Sequence, residues 1–223
     1  MYNPSDNSLM INRDEAPQTL GARAQSKERN RQKILESAMT LFRERGFEAA
    51  TLRDIARGAG LSTGALFANF SDKNEIFLTV VEEENARVIR VMREGYDENL
   101  NLVERLHNQL MRGYDAAQVN ARLILSAFVM RWSASQTSLT EISRLSDMVR
   151  IALLDTLKAA KARKELPEAS RIDCAAEILE DLCFANLRRA FQASEEPTSF
   201  NVAQLSESLS VQIGLVVAGL KTA

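Results

Sequence analysis

The chain has 223 residues, 45% hydrophobic and 26% charged, with nine glycines, four prolines and two cysteines. These are ordinary globular values with material for one larger or two smaller cores, and the two cysteines are too few and wrongly spaced for a zinc site. The net charge of −2 is uneven: residues 23–73 hold ten Lys/Arg against six Asp/Glu, a net of +4, which leaves −6 for the rest. That asymmetry fits a nucleic-acid face on an acidic body.

Residues 1–25 are polar and aperiodic and are expected to form a disordered N-terminal arm. They lack the apolar core of a secretory leader. The longest apolar run, Val211 to Leu220, is interrupted by Gln212 and falls far short of the ~20 residues of a membrane span. The expectation is a soluble, cytoplasmic protein without membrane contact. Long runs of Ala, Leu, Glu, Arg and Gln, with few β-branched clusters, predict an all-α fold. Helix 1 should run from about Ser26 to Arg45, burying Ile34, Leu35, Ala38, Leu41 and Phe42, and Gly46 should stop it. Arg23, Lys27, Arg29 and Arg31 read as a flexible basic arm able to add salt-dependent affinity for DNA.

Residues 51–73, TLRDIARGAGLSTGALFANFSDK, carry the strongest local pattern. Thr51 is a good N-cap, and Asp54 three residues on gives a capping-box-like pair. Leu52, Ile55, Ala56 and Ala59 form an apolar stripe at helical spacing. Gly60 suits a tight turn because it reaches positive φ at no steric cost. Leu61 can plug the gap between helices. Ser62 or Thr63 caps a second short helix bearing Leu66, Phe67 and Phe70, and Ser71-Asp72-Lys73 starts a third. This is a helix-turn-helix, and a short helix with a small, polar first turn can enter a major groove.

Helix 4 should run from near Asp72 to the Gly95 region, carrying Ile76, Phe77, Val80, Val81 and Val88. It is too long for a small head alone and is expected to join it to a second domain. Further helices are expected near 97–116, 120–133, 138–164, 171–193 and 200–221, with Gly113 and Asn120 marking one break. If residues 171–193 are helical, Cys174 and Cys183 point to opposite faces, so buried thiols rather than an internal disulfide are expected. Ile172, Ala176, Leu179, Cys183, Leu187 and Ala190 share one face of the first of the last two helices. Leu205, Leu209, Ile213, Val216 and Leu220 share one face of the second. Such stripes suit a core, or a four-helix interface with a second copy of the chain.

The stretch Ile34–Phe77 resembles the tetracycline-repressor (TetR/AcrR) family of bacterial transcriptional regulators. Gly46, Phe47, Thr51, Ile55, Ala56, Ala59, Gly60, Leu61, Ser62, Gly64, Leu66, Phe67, Phe70 and Lys73 carry the likeness. The resemblance implies a homodimer with a three-helix N-terminal DNA-binding head (here 26–76) and a C-terminal helical ligand and dimerisation domain (77–223). It also implies repression of a palindromic operator in duplex DNA, relieved by a small molecule; with such a head, the stripes of the last two helices are expected to form the dimer. Carried over by position, Thr51 would hold a phosphate. Arg53 would reach a guanine edge or a phosphate, and Ser62 and Thr63 would contact phosphate. Gly64 would permit close approach, and Lys73 would hold another phosphate. Where many relatives carry Tyr, an aromatic or polar residue, and His, this chain has Phe67, Ala68 and Asn69. Phe67 lacks the hydroxyl, Ala68 offers a methyl to a thymine, and Asn69 could pair with adenine or bond a phosphate.

A pocket for a small apolar effector is expected among helices 4 to 8. Met111, Tyr114, Phe128, Trp132, Met148 and Phe184 are candidate lining residues, and His107 and Asn186 candidate polar anchors. The same side chains equally suit a core. No cofactor, metal or catalytic site is expected: there is no nucleophile elbow, no phosphate-cradling glycine loop and no metal-ligand spacing. The alternative to a regulator is a helical adaptor whose basic head meets acidic protein.

Overall fold

A computed structural model describes residues 21–222 apart from 95, 134–135 and 196–198, with side chains described outside 131–146 and 204. The regular elements among the described residues are helices, and none of them is long and apolar enough to cross a membrane. In chain order they are α1 (Ala22–Ala49), α2 (Leu52–Gly58), α3 (Thr63–Phe67), α4 (Lys73–Glu94), α5 (Leu102–Gln118), α6 (Ala121–Ser133), α7 (Gln136–Ala162), α8 (Ile172–Ala193) and α9 (Ser206–Lys221). A single 3₁₀ turn, Ala203–Leu205, leads into α9.

Helix α1 starts at Ala22, not Ser26, so of the basic residues read as a flexible arm Arg23, Lys27 and Arg29 stand on its exposed first turns and Arg31 is half-buried. Residues 1–20 of that arm lie outside the described residues. Gly46 breaks α1 at φ 79°, a left-handed conformation that glycine tolerates best. Gly113 does not break a helix as expected: α5 passes through it. A β-carbon there would stand 2.9 Å from Met92 Cγ, so the glycine lets α4 and α5 approach closely. An Asn101–Glu104 capping box starts α5 instead.

There are two cores, and α4 belongs to both. The head core gathers Ile34, Ala38 and Phe42 of α1, Ile55 of α2, Leu66 and Phe70 around α3, and Ile76, Phe77, Val80 and Val81 of α4. Phe42, Phe47 and Phe77 form a ring cluster with centroids 4.6 to 5.8 Å apart. Leu123 of α6, fully buried, completes this core. The expected boundary at 76 therefore cuts through it. The body core takes Val88, Ile89 and Met92 from the far half of α4, which packs against α5 and α7, and α8 and α9 complete the same core. Between the two lies Glu84, 2% exposed, whose carboxylate takes two hydrogen bonds from Arg87 at 2.9 and 2.6 Å. The same guanidinium donates to the Ala116 carbonyl of α5 at 2.6 Å.

Candidate nucleic-acid interface

Local hydrogen bonds build the head as the sequence implies. The Thr51 hydroxyl accepts from the Asp54 amide at 3.1 Å and donates to its carboxylate at 2.7 Å, capping α2. That hydroxyl, aided by Arg57, holds the Asp54 carboxyl below its ordinary pKa despite an opposing desolvation. At the turn, Gly60 has φ 67° and the Leu61 amide closes onto the Ala56 carbonyl at 2.9 Å. The Ser62 hydroxyl then accepts from the Ala65 amide at 3.1 Å and caps α3. Helix α2 is seated on α1 by the Ser37 hydroxyl, which donates to the Ile55 carbonyl at 2.9 Å. A β-carbon on Gly58 would come within 2.3 Å of that hydroxyl.

The outward side of this unit brings together Arg53, Ser62, Thr63, Gly64, Phe67 and Ala68, all exposed. Phe67 is 55% exposed, whereas Leu66 and Phe70 on either side of it are buried. That exposure leaves its ring free for contacts outside the head. Gly64 is similar: it has no positive φ, and a β-carbon would meet only Ser62 Oγ at 3.8 Å. Nothing inside the head demands glycine there.

Three expected contacts are otherwise engaged. Lys73 does not stand free for a phosphate. Its ammonium donates to the Phe47, Glu48 and Ala50 carbonyls at 2.9, 3.4 and 3.2 Å, using all three of its donors, and lies 4.2 Å from the Phe47 ring centroid. The Asn69 side chain folds back, donating to the Ala65 carbonyl at 2.8 Å with its Oδ1 buried and unpaired. The hydroxyl proton of Thr51 goes to Asp54. Arg31, read from sequence as part of the arm, instead stacks on Phe70 at 4.2 Å and reaches the Asn69 carbonyl at 3.5 Å.

The expected effector residues divide. Tyr114 is buried, its hydroxyl donating to the Cys183 carbonyl at 2.9 Å, and the Phe128 and Phe184 rings stand 5.8 Å apart. Met111 and Met148 pack on the body core, and burial pushes the Cys183 thiol up to about 11. His107 goes elsewhere, to the carbonyl and hydroxyl of Ser206 at 3.1 Å each. Asn186, the other polar anchor, donates to Gln212 at 2.7 Å. The side chain of Trp132 lies outside the described residues. None of these residues lines the described cleft that sequence reading missed, a cavity of about 380 Å³ between α4, α5 and α7. Its polar side chains, Arg105, Gln109 and Thr156, had one legible signal: Arg105 and Gln109 fall at helical spacing beside Leu102, Leu106 and Leu110.

A capped helix-turn-helix presenting a polar, partly aromatic face on a basic head, joined through α4 to a larger helical body, defines a DNA-binding transcriptional regulator. The profile of bacterial regulatory proteins of the TetR family matches residues 34–80. The chain is 31% identical over 145 residues to the HTH-type transcriptional repressor AcnR of Corynebacterium glutamicum, covering 62% of this chain and 71% of that one. It is 45% identical over 65 residues to AcnR of Corynebacterium diphtheriae, covering 29% and 34%. Among solved structures it resembles Salmonella enterica GusR (TM-score 0.66, 17% identity, 87% of this chain and 96% of that one). It also resembles Bacillus subtilis FadR in complex with stearoyl-CoA (TM-score 0.67, 18% identity, 84% and 98%). The chain belongs to the TetR family, and its relatives are regulators rather than enzymes.

Proposed function

We propose that the chain is a cytoplasmic repressor that binds a palindromic operator as a homodimer and leaves it when a small molecule enters the body. The observation that carries this reading is the shared membership of α4, whose first half is head core and whose second half is body core. A change of body packing that moves α4 must move the recognition helix. Two such helices in a dimer read half-sites only when their separation matches about one helical turn of DNA, ~34–36 Å, or a multiple.

The second copy is assigned to the outer faces of α8 and α9. The stripes singled out from the sequence are mostly turned inward: Leu179, Leu187, Leu209, Ile213 and Leu220 are buried within the chain. Left outside are Ile178 on α8 and Val211 and Leu215 on α9, 49%, 62% and 70% exposed. They are large apolar side chains on neighbouring helices, as a four-helix interface requires. On the DNA side, Arg53, Ser62, Thr63, Gly64, Phe67 and Ala68 form the reading face, with Thr51 as cap and Lys73 as the brace that fixes α4 to α1.

Selection from random duplex DNA with the purified chain, followed by binding across a salt series, tests the reading. A palindrome with a negative log–log salt slope is expected. Failure of a folded, ligand-free protein to enrich any sequence would overturn it in favour of a helical adaptor. Ligand titration that leaves operator affinity unchanged removes the effector half of the proposal alone.

A further inference from the structure

The cleft between α4, α5 and α7 has a lining whose chemistry names a ligand. Its volume of about 380 Å³ is near the lower end for small-molecule sites. Met92 of α4 and Ala152 of α7 make apolar walls. The polar lining divides into a buried floor, with Arg105 3% exposed, Gln109 6% and Thr156 5%, and an exposed rim of Arg93, Tyr96 and Asp155. Gln109 donates to the Ala152 carbonyl at 3.1 Å and its own oxygen accepts the Thr156 hydroxyl at 2.9 Å. That leaves one amide N–H of Gln109 without a described acceptor. The Arg105 guanidinium donates to the Leu100 carbonyl at 2.5 Å and to the Glu165 carboxylate, but its Nε is buried with no acceptor among the described residues.

A buried donor on a charged group is costly to leave unpaired. The surplus is of donors, so a fitting ligand brings acceptor oxygens, and a carboxylate matches a guanidinium edge better than any neutral group. The carboxylate on the rim, Asp155, is already paired with Arg93 at 2.9 Å and is more than half exposed, so nothing in the cleft favours a cation. Tyr96, exposed on the rim, stands with its ring centroid 5.9 Å from the Arg105 guanidinium carbon.

We propose that this cleft is the effector site and that its ligand is a small monocarboxylic acid, with the carboxylate on Arg105 and a short apolar body against Met92 and Ala152. This rests on the reading of the chain as a ligand-responsive regulator and gives it a chemical class. Met92 and Arg93 belong to the last turn of α4, so occupation of the cleft acts directly on the helix that carries the head.

Calorimetric titration of the full chain with hexanoate and benzoate, beside hexanamide and benzamide, tests the class, and operator binding with and without each acid tests the consequence. The expected result is at least tenfold tighter binding of an acid than of its amide, with weaker operator binding in its presence. Arg105→Lys, which keeps the charge and loses Nε, should lower acid affinity at least tenfold. If that variant fails to fold, the acid–amide comparison on the unaltered chain still decides. Equal binding of acid and amide, no binding of either acid by a chain that holds its operator, or acid binding without effect on the operator overturns the proposal and leaves DNA-dependent repression standing. Failure to hold any operator would instead sink the regulator reading on which it rests.

Discussion

The head and the body are built from the same secondary structure by different logics. In the head, the caps and turn that shape the motif join residues close in sequence, Thr51 to Asp54, Ser62 to Ala65 and Gly60 between two short helices, although Lys73 and the Phe42–Phe77 contact tie more distant parts of the head together. In the body the polar contacts span long stretches of chain, with Gln109 and Thr156 47 residues apart and Arg105 and Glu165 60 apart. A function set by local geometry leaves a motif in the sequence, whereas one set by distant packing leaves only a helical period. The two logics meet in α4, and the predictions test how firmly it couples them.

The largest expected effect is on the head core. Phe42→Ala removes a fully buried ring that touches Phe47 and Phe77 and should cost about 3–5 kcal/mol. Because α4 and Leu123 carry the head core into the body, denaturant unfolding should keep a single, shifted transition. Two resolved transitions would show the cores to be independent and break the proposed coupling. Arg87→Ala comes next. It strands the buried Glu84 carboxylate and drops the Ala116 carbonyl. Arg87 is itself 37% exposed, so the loss should fall below that of a fully buried pair, at about 2–3 kcal/mol. Operator affinity should also become less responsive to effector, since this pair links α4 to α5 midway between head and body.

Arg53 and Lys73 sharpen the comparison, because they look alike in sequence and differ in structure. Lys73→Ala should lower stability by about 2 kcal/mol through loss of three charged hydrogen bonds and a cation–π contact. The salt slope of operator binding should stay unchanged. Arg53→Ala should leave stability alone, weaken specific binding by about 1–3 kcal/mol and relax base preference. An altered slope with Lys73→Ala would return that residue to the phosphate backbone.

Much of the fold was legible. The helix-turn-helix, its caps, the break at Gly46 and the long connecting α4 follow from glycine positions, capping residues and apolar period. Lys73 was expected to hold a phosphate because a lysine opening a helix near a DNA motif has the right type and place for one. The carbonyls it holds belong to residues 23 to 26 positions earlier, at an end of α1 visible only in three dimensions. The expected effector residues illustrate the converse. Aromatic and methionine side chains at helical spacing fill a core as readily as they line a pocket, and Phe128, Phe184, Met111 and Met148 pack on the body core. The floor of the cleft includes Arg105, Gln109 and Thr156, residue types that look like surface until their neighbours cover them.

The smallest expected effect separates folding from recognition most cleanly. Gly64 lies in the short α3 with no left-handed backbone, and an added methyl group would touch only Ser62 Oγ at 3.8 Å. Alanine is the better helix former by up to ~1 kcal/mol, so Gly64→Ala should leave the head unchanged or slightly more stable in thermal unfolding. If the glycine is there so that DNA can lie against α3, the same methyl group must weaken operator binding. Stability and affinity then move in opposite directions. At Leu66, one turn of thought away on the buried side of the same helix, truncation to alanine should lower both together. A Gly64→Ala chain that binds its operator like the parent would place the DNA on another face of α3 and require a new assignment of the reading residues.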